Sequence, residues 1–237
     1  MQDFCISTPY GKEKCMPSNV TFKYIKQNPD IITYITKADE ALGVLGYTEH
    51  SLAHVEKVAN TASMILETLN YSERECELAK IAGFMHDIGN VINRIDHAQS
   101  GAVMAFRLLD NLSMPATEIC SIISAIGNHD EGTAQPLNAI SAAMILADKT
   151  DVRRSRVRNT DLITFDIHDR VNYAVESSSL TFNDEKTSLI LKLNIDTAIS
   201  SVMEYFEIFM GRMLLCKKAA LYLGIKFELI INGTSIL

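Results

Sequence analysis

Apolar residues recur every three or four positions through most of the first 158 residues, the period of helices that bury one face. "VTFKYIKQN" and "DIITYITKADEALGVLG" read as helices, the second stopped at Gly46. Residues 51–69 repeat Val55, Val58, Ala62, Ile65, Leu66 and Leu69 at helical spacing. "SERECELAKIAGFMHDI" opens with Ser72 and Glu75 at capping-box spacing, carries Leu78, Ile81, Ala82 and Met85 on one face, and stops at Gly89. After a loop with Asn93 and Asp96 come helices over 97–112, over "ATEICSIISAI" behind Pro115, and over "LNAISAAMILADKTDVRRS". Before these helices, the segment with Pro9, Gly11, Pro17 and Ser18 has no clear period and reads as an irregular lead-in.

Beyond Arg158 the period changes. "RVNYAVESSSLTF" and "TSLILKLNI" alternate around Asn183-Asp184 and predict a hairpin. "TAISSVMEYFEIFMGRMLLCKKAALYLG" predicts one long amphipathic helix ending at Gly224, and "IKFELIING" a strand with Ile225, Phe227, Leu229 and Ile231 on one side. This third of the chain predicts a small α+β unit of about three strands and one helix.

Composition narrows the function. With 47% hydrophobic and 22% charged residues, the chain reads as an ordinary globular protein. Its net charge of −7 disfavours extended nucleic-acid binding or an acidic membrane surface, so an anionic substrate needs a local cluster of positive charge. Cys5, Cys15, Cys76, Cys120 and Cys216 form no CxxC pair and read as free thiols. No apolar run is long enough to span a bilayer, and "MQDFCISTPYGKEKC" lacks the pattern of a signal peptide, so the expected location is cytoplasmic.

The six histidines change the picture most. His54 shares a helical stripe with Val58, Ala62 and Ile65, and His86 follows Leu78 and Ala82. His97 leads Gly101, Ala105 and Leu108, His129 follows Ile122 and Ile126, and Asp148 follows Ile140 and Met144. One histidine on an apolar stripe is most often a hydrogen-bonded core residue. Four of them, with Asp87 and Asp148, on inward faces of separate helical segments call for a shared cation, because buried carboxylates and imidazoles need partners. Asp87, next to His86, is placed to offer its two oxygens to two ions. His50 precedes its helix and suits substrate contact, whereas His168 reads as a surface residue.

This order of residues resembles the HD superfamily of metal-dependent phosphohydrolases over about residues 45–158. "HVEKVA", "GFMHDIGN", "HAQSGA", "IGNHDEG" and "ILADKTD" carry the likeness. The resemblance implies an HD-type all-helical core (45–158); with the lead-in and packing helices (1–44) before it and the small α+β unit (159–237), which lies outside the resemblance, the expected fold is mainly α. It implies a first ion on His54, His86, Asp87 and Asp148, and a second on His97 and His129 with Asp87 bridging. Asn90 stands where the family often has Lys after "HDIG". The GYP signature and the "HDxxED" pattern of two branches are missing.

An imidazole-rich set favours one or two divalent transition-metal ions (Mn, Fe, Zn, Co or Ni) over Mg or Ca. Such ions clamp phosphate oxygens and acidify a bridging water, whose hydroxide is the expected nucleophile. The predicted activity is hydrolysis of a phosphoester in a small phosphorylated substrate, such as a nucleotide mono- or diester, with Asp87 and Lys149 as catalytic residues. "DKTDVRRSRVR" supplies the local positive charge, Lys149 beside the metal and Arg153 about one helical turn on. Arg156 and Arg158 read as solvated cations at a helix end. The alternatives are a di-iron oxygenase of the same fold and a non-catalytic nucleotide-binding sensor. Whether the α+β unit pairs the chain into a homodimer stays open.

Overall fold

The computed structural model describes residues 4–6, 14–16, 20–158 and 166–237. Strands β1 (Phe4–Ile6) and β2 (Lys14–Met16) pair antiparallel, where the sequence predicts only an irregular lead-in. Pro9, Gly11, Pro17 and Ser18 lie outside the described residues.

Seven helices follow in the order the apolar period predicts: α1 (Phe22–Gln27), α2 (Pro29–Val44), α3 (Leu52–Thr68), α4 (Glu73–Met85), α5 (His97–Asn111), α6 (Ala116–Gly127) and α7 (Ala139–Lys149). Local chemistry sets their ends. Ser51 accepts from the Ala53 amide to open α3, and Ser72 and Glu75 close a reciprocal capping box on α4. The Asn138 side chain accepts from Ser141 to open α7.

The centre of the molecule is α7, which packs against α3, α4 and α6 on one side and the C-terminal unit on the other. Residues Ile140 through Ala147 are all buried, so the helix is apolar around its whole circumference and behaves as a core element rather than an amphipathic one. Asp148 and Lys149 emerge at its end. The α3–α4 contact is unusually close: a Cβ on Gly83 would stand 2.9 Å from the Ala59 backbone. Only glycine permits that approach, and it brings the His54 and His86 rings to 5.3 Å.

After α7 the backbone leaves the helix. Arg153 is extended, and a single 3-10 turn spans Arg154–Arg156, correcting the helix expected through this basic segment. Helix α8 (Ile167–Ala174), absent from the sequence reading, leads into β3 (Val175–Phe182). Strand β3 pairs antiparallel with β4 (Ser188–Ile195), from Val175↔Ile195 to Phe182↔Leu189, around an Asn183 side chain that accepts from the Thr187 and Ser188 amides. Helix α9 (Val202–Tyr222) crosses over, and β5 (Lys226–Ile231) returns parallel to β4, with a short β6 (Thr234–Ser235) at the edge.

Among its described residues the α+β unit has four sheet strands and two helices, against the three and one predicted. Leu189, Leu191, Leu193, Phe227, Leu229 and Ile231 bury one sheet face, and α9 packs on both β5 and α7. Among the described residues, no helix is long and apolar enough to cross a membrane.

Candidate metal centre

Four elements deliver imidazoles to one point. His54 comes from the first turn of α3, His86 caps the C-terminus of α4, His97 opens α5, and His129 follows α6. Asp87 leads into a 3-10 turn, Ile88–Val91, that lies against α5. A Cβ on Gly89 would stand 2.0 Å from the His97 carbonyl oxygen and 2.5 Å from the Gly101 nitrogen, so glycine is required for this approach.

Every ring is oriented from behind. His86 Nδ1 donates to Gly83 O at 2.8 Å, His97 Nδ1 to Arg94 O at 3.0 Å, and His129 Nδ1 to Ile126 O at 2.6 Å. His54 Nδ1 donates to Asp151 Oδ2 at 2.8 Å. A carbonyl can only accept, so each of these Nδ1 atoms carries the proton and each Nε2 presents a lone pair to the interior.

The four lone pairs converge on two carboxylates. Asp87 Oδ2 is 3.0 Å from His86 Nε2 and 3.8 Å from His54 Nε2, while its Oδ1 is 3.5 Å from His97 Nε2 and 3.8 Å from His129 Nε2. Asp148 Oδ1 lies 3.5 Å from His54 Nε2 and 3.7 Å from His86 Nε2. Two groups stand out in which all ligand atoms lie within 4.8 Å of one another: His54, His86 and Asp148, and His86, Asp87 and His129.

This donor set fits divalent metal on three counts. The His54 and His86 Nε2 atoms are buried with no hydrogen-bond partner, a costly state for a polar atom. The Nε2 atoms of His97 and His129 face one another at 3.1 Å, two lone pairs that repel without a cation between them. Ligand atoms bound about 2.1 Å from one ion stand roughly 3–3.5 Å apart, close to the spacings here.

Electrostatics agree. Burial alone would raise the Asp87 carboxyl, but His86 and His129 outweigh it and hold the group well below the carboxylate range. Burial also opposes ionisation of Asp148, which Lys149 and His54 reverse. Burial pushes His86 down, yet Asp87 and Asp148 pull it above the usual imidazole value, so the cluster favours positive charge at that point. His97, by contrast, is lowered to about 4 by burial, with His129 and Arg94 adding to the effect against Asp87.

A cavity of about 510 Å³ opens over this cluster, with Asp87, His97, His129, Asp148 and Lys149 in its floor. His50 lines it too, its Nδ1 donating to Thr48 O at 2.7 Å. Arg153 does not. With the helix ended at Lys149, Arg153 turns to Asp151 Oδ1 at 3.0 Å and to Ser155, and Arg156 takes a place in the wall instead. Arg156 is buried, its Nε donating to Glu49 O and its Nη1 to Asp151 O. Arg158 also leaves the solvated role expected of it and bridges to Asp39 and Tyr47 O of the α2 region.

Three residues escaped the sequence reading: Arg94, Glu131 and Arg212. Arg94 reaches the cavity with Nη1 3.3 Å from both Asn90 Oδ1 and His97 Nε2. Asp151, read from the sequence as a partner for a neighbouring cation or as a proton acceptor, pairs with Arg153 and accepts from His54. Glu131 and Arg212 form an ion pair at 2.5 Å on the outer wall. His168, expected at the surface, is exposed but lies on the rim of the same cavity. A faint signal existed only for Arg94, four residues after Asn90.

A helical bundle whose helix ends converge histidines and aspartates on one cation-seeking cluster defines the class of this protein: a histidine/aspartate metal-site fold. The family model of the HD domain matches residues 51–170, just over half of the chain, and the chain belongs to that family. It is 25% identical over 216 aligned residues to the uncharacterized protein MJ1020 of Methanocaldococcus jannaschii, with 81% of each chain covered. It is 24% identical to a predicted HD superfamily hydrolase from an uncultured Thermotogales bacterium, over 52% of this chain and 67% of that one, with a TM-score of 0.42.

Proposed function

We propose that this protein is a metal-dependent phosphohydrolase acting on a small phosphorylated substrate, a nucleotide mono- or diester in the first instance. The observation that carries the reading is the set of four imidazoles, each with Nδ1 tied off and Nε2 aimed at Asp87 and Asp148, two of them buried without partners.

Divalent ions bound there supply Lewis acidity toward a phosphoryl oxygen and acidify water. His54, His86 and Asp148 hold one position, and His97 and His129 the other, with Asp87 offering one oxygen to each side. Asn90 Nδ2 donates to Asp87 Oδ1 at 2.9 Å and fixes the plane of that carboxylate. Lys149, on the site edge and 2.8 Å from Asp148 Oδ2, meets the charge that develops on the phosphoryl group. Arg94 and Arg156 bind its oxygens, and His50 contacts the substrate from the wall. A polar cavity of about 510 Å³ suits a mononucleotide-sized ligand.

The test is metal analysis of the purified protein followed by a panel of nucleotide monoesters and diesters assayed with that metal. Asp87→Asn, which keeps the volume but removes the shared charge, lowers metal content from two equivalents to one or none and reduces kcat about a thousandfold or more. Wild-type protein that binds no divalent metal, or a fully active Asp87→Asn enzyme, would overturn the proposal.

A further inference from the structure

The outer wall of the cavity belongs to the C-terminal unit, and all of it but His168 lies beyond the residues that match the HD model. Helix α9 contributes Phe209 and Arg212, and α8 contributes His168 and Asn172. The Arg212 guanidinium lies 4.6 Å over the Phe209 ring, and its buried Nε is 2.5 Å from Glu131 Oε1 but makes no hydrogen bond. The same Glu131 oxygen is 3.6 Å from Lys149 Nζ. One carboxylate oxygen therefore brings a cation of the C-terminal unit next to the lysine that borders the metal centre.

The charge balance of this wall is uneven. Arg156 spends Nε and Nη1 on neutral carbonyls, and its nearest carboxylate oxygen, Asp151 Oδ2, is 3.9 Å away. Lys149 shares Asp148, whose charge a metal ion would claim. That leaves Lys149 and Arg212 sharing Glu131 Oε1 as a counter-charge on the cavity side. Glu131 sits in the loop after α6 and is 36% exposed. A partly exposed ion pair of this kind is held weakly, and an incoming group with two or three anionic oxygens displaces it.

We propose that Arg212 is the receptor for a second anionic group on the substrate, and that Glu131 is the resident counter-ion which that group replaces. The proposal rests on the phosphohydrolase reading and narrows its substrate to a compact molecule with a phosphate and a neighbouring phosphate or carboxylate. The closeness of Arg212 to Lys149 sets that requirement: the second anion must adjoin the phosphoryl group at the metal centre.

The experiment is calorimetric binding of inorganic phosphate, pyrophosphate and phosphoglycolate to the metal-loaded full-length protein and its variants. Wild type binds pyrophosphate or phosphoglycolate about tenfold to a hundredfold more tightly than phosphate, the worth of a charge-assisted contact. Preference for pyrophosphate alone assigns the second group as phosphate, and preference for phosphoglycolate alone as carboxylate. Arg212→Ala abolishes the preference while phosphate affinity stays within about twofold, because Lys149 and Arg156 remain. Arg212→Gln, which keeps the packing on Phe209, does the same if the alanine variant fails to fold. Glu131→Gln tightens both diacids by removing their competitor.

A wild-type protein that binds phosphate as tightly as the diacids, or a preference that survives both Arg212 substitutions, overturns the proposal. Failure of the hydrolase reading is distinguishable. If no phosphoester is turned over but the Arg212-dependent preference is present, the subsite stands and catalysis falls.

Discussion

Asp151 is not a ligand in any grouping of the site, yet replacing it by asparagine should disable one. Its side chain is fully buried. Oδ2 accepts from His54 Nδ1 at 2.8 Å, and Oδ1 faces Lys57 Nζ at 2.6 Å and Arg153 Nε at 3.0 Å. Burial alone would raise this carboxyl, but the His54 hydrogen bond and the charges of Arg156 and Lys57 hold it far below the carboxylate range. In Asp151→Asn one side of the amide must present N–H. Two cations on one side outbid a single neutral imidazole on the other, since charge-assisted hydrogen bonds are about twice as strong. The amide oxygen therefore turns to Lys57 and Arg153, and the amide nitrogen turns to His54.

That rotation forces His54 to accept at Nδ1 and carry its proton on Nε2, which then cannot bind metal. Outer partners of this type are worth about 10–100-fold in metal affinity, and the forced tautomer places the loss at the upper end, about 3 kcal/mol. The metal-free protein loses a further buried pair, about 3 kcal/mol, or roughly 6–12 °C in Tm for a chain of this size. Because the folded carboxyl is depressed, its contribution is complete above the unfolded carboxylate value near pH 4 and fades as pH falls toward the lower folded one. The stability deficit of the variant is accordingly constant from about pH 5 to 8 and narrows only in acid. Chelator-competition titration measures the affinity, and 15N NMR of the imidazoles reports the tautomer. An Asp151→Asn protein with wild-type metal affinity and His54 still protonated at Nδ1 would refute the reasoning.

Three other outcomes are expected. Arg94→Ala removes the guanidinium 3.3 Å from His97 Nε2, so metal affinity on the His97–His129 side rises about tenfold while phosphoester KM increases by a similar factor; Mn2+ EPR titration and steady-state kinetics that both leave wild-type values unmoved would dismiss this role. Gly89→Ala drives a Cβ into the His97 carbonyl and costs about 4 kcal/mol or more, whereas Gly211→Ala, with open space around it on α9, gains up to about 1 kcal/mol; denaturant unfolding of the pair checks the contrast. Glu204, lowered to about 2 by the Ser201 amide and by Arg170, closes the capping box of α9 and ties it to α8. Its depressed carboxyl contributes above the unfolded value near 4.5 and loses that contribution as pH falls through about 2, so Glu204→Gln lowers Tm at neutral pH and the gap to wild type closes in acid, as a pH series of thermal melts would show.

The convergence of the candidate ligands was legible because each stands on a regular helix or within two residues of its end. On α3 and α4 a histidine in register with Val58 or Ala82 must face where they face, so periodicity alone sent it inward. The cations obey no such rule. Arg153 was extrapolated along a helix that ends at Lys149, where Thr150 begins an irregular path, and the real wall residue is Arg156. Arg212 lies on a regular helix, but its relation to the site depends on how α9 docks on α7, a contact between segments far apart in sequence. The start of α9 was readable and missed: Ser201 and Glu204 have the same capping-box spacing as Ser72 and Glu75, and they place the first turn at Val202 rather than at Thr197. Helix α8 is only 8 residues long and runs directly into a strand, too short for a period to separate from its neighbour.

Asn90 shows how charge moves within a motif while the geometry of the site is kept. An ammonium group at this position would sit beside the Asp87 carboxylate and compete for it with any bound cation. Asn90 is buried and neutral, and it gives Asp87 two hydrogen bonds, from Nδ2 to the backbone oxygen at 3.0 Å and to Oδ1 at 2.9 Å. Its own Oδ1 then accepts from Arg94, so the positive charge appears one step further out, against His97 and the cavity. An amide thus orients the Asp87 carboxylate without neutralising it, and on the proposed reading the planar guanidinium is the group shaped to meet anionic oxygens. The two halves of that exchange are tied together: Asn90 holds Asp87 with its amide nitrogen and Arg94 with its amide oxygen, so replacing Asn90 loosens both.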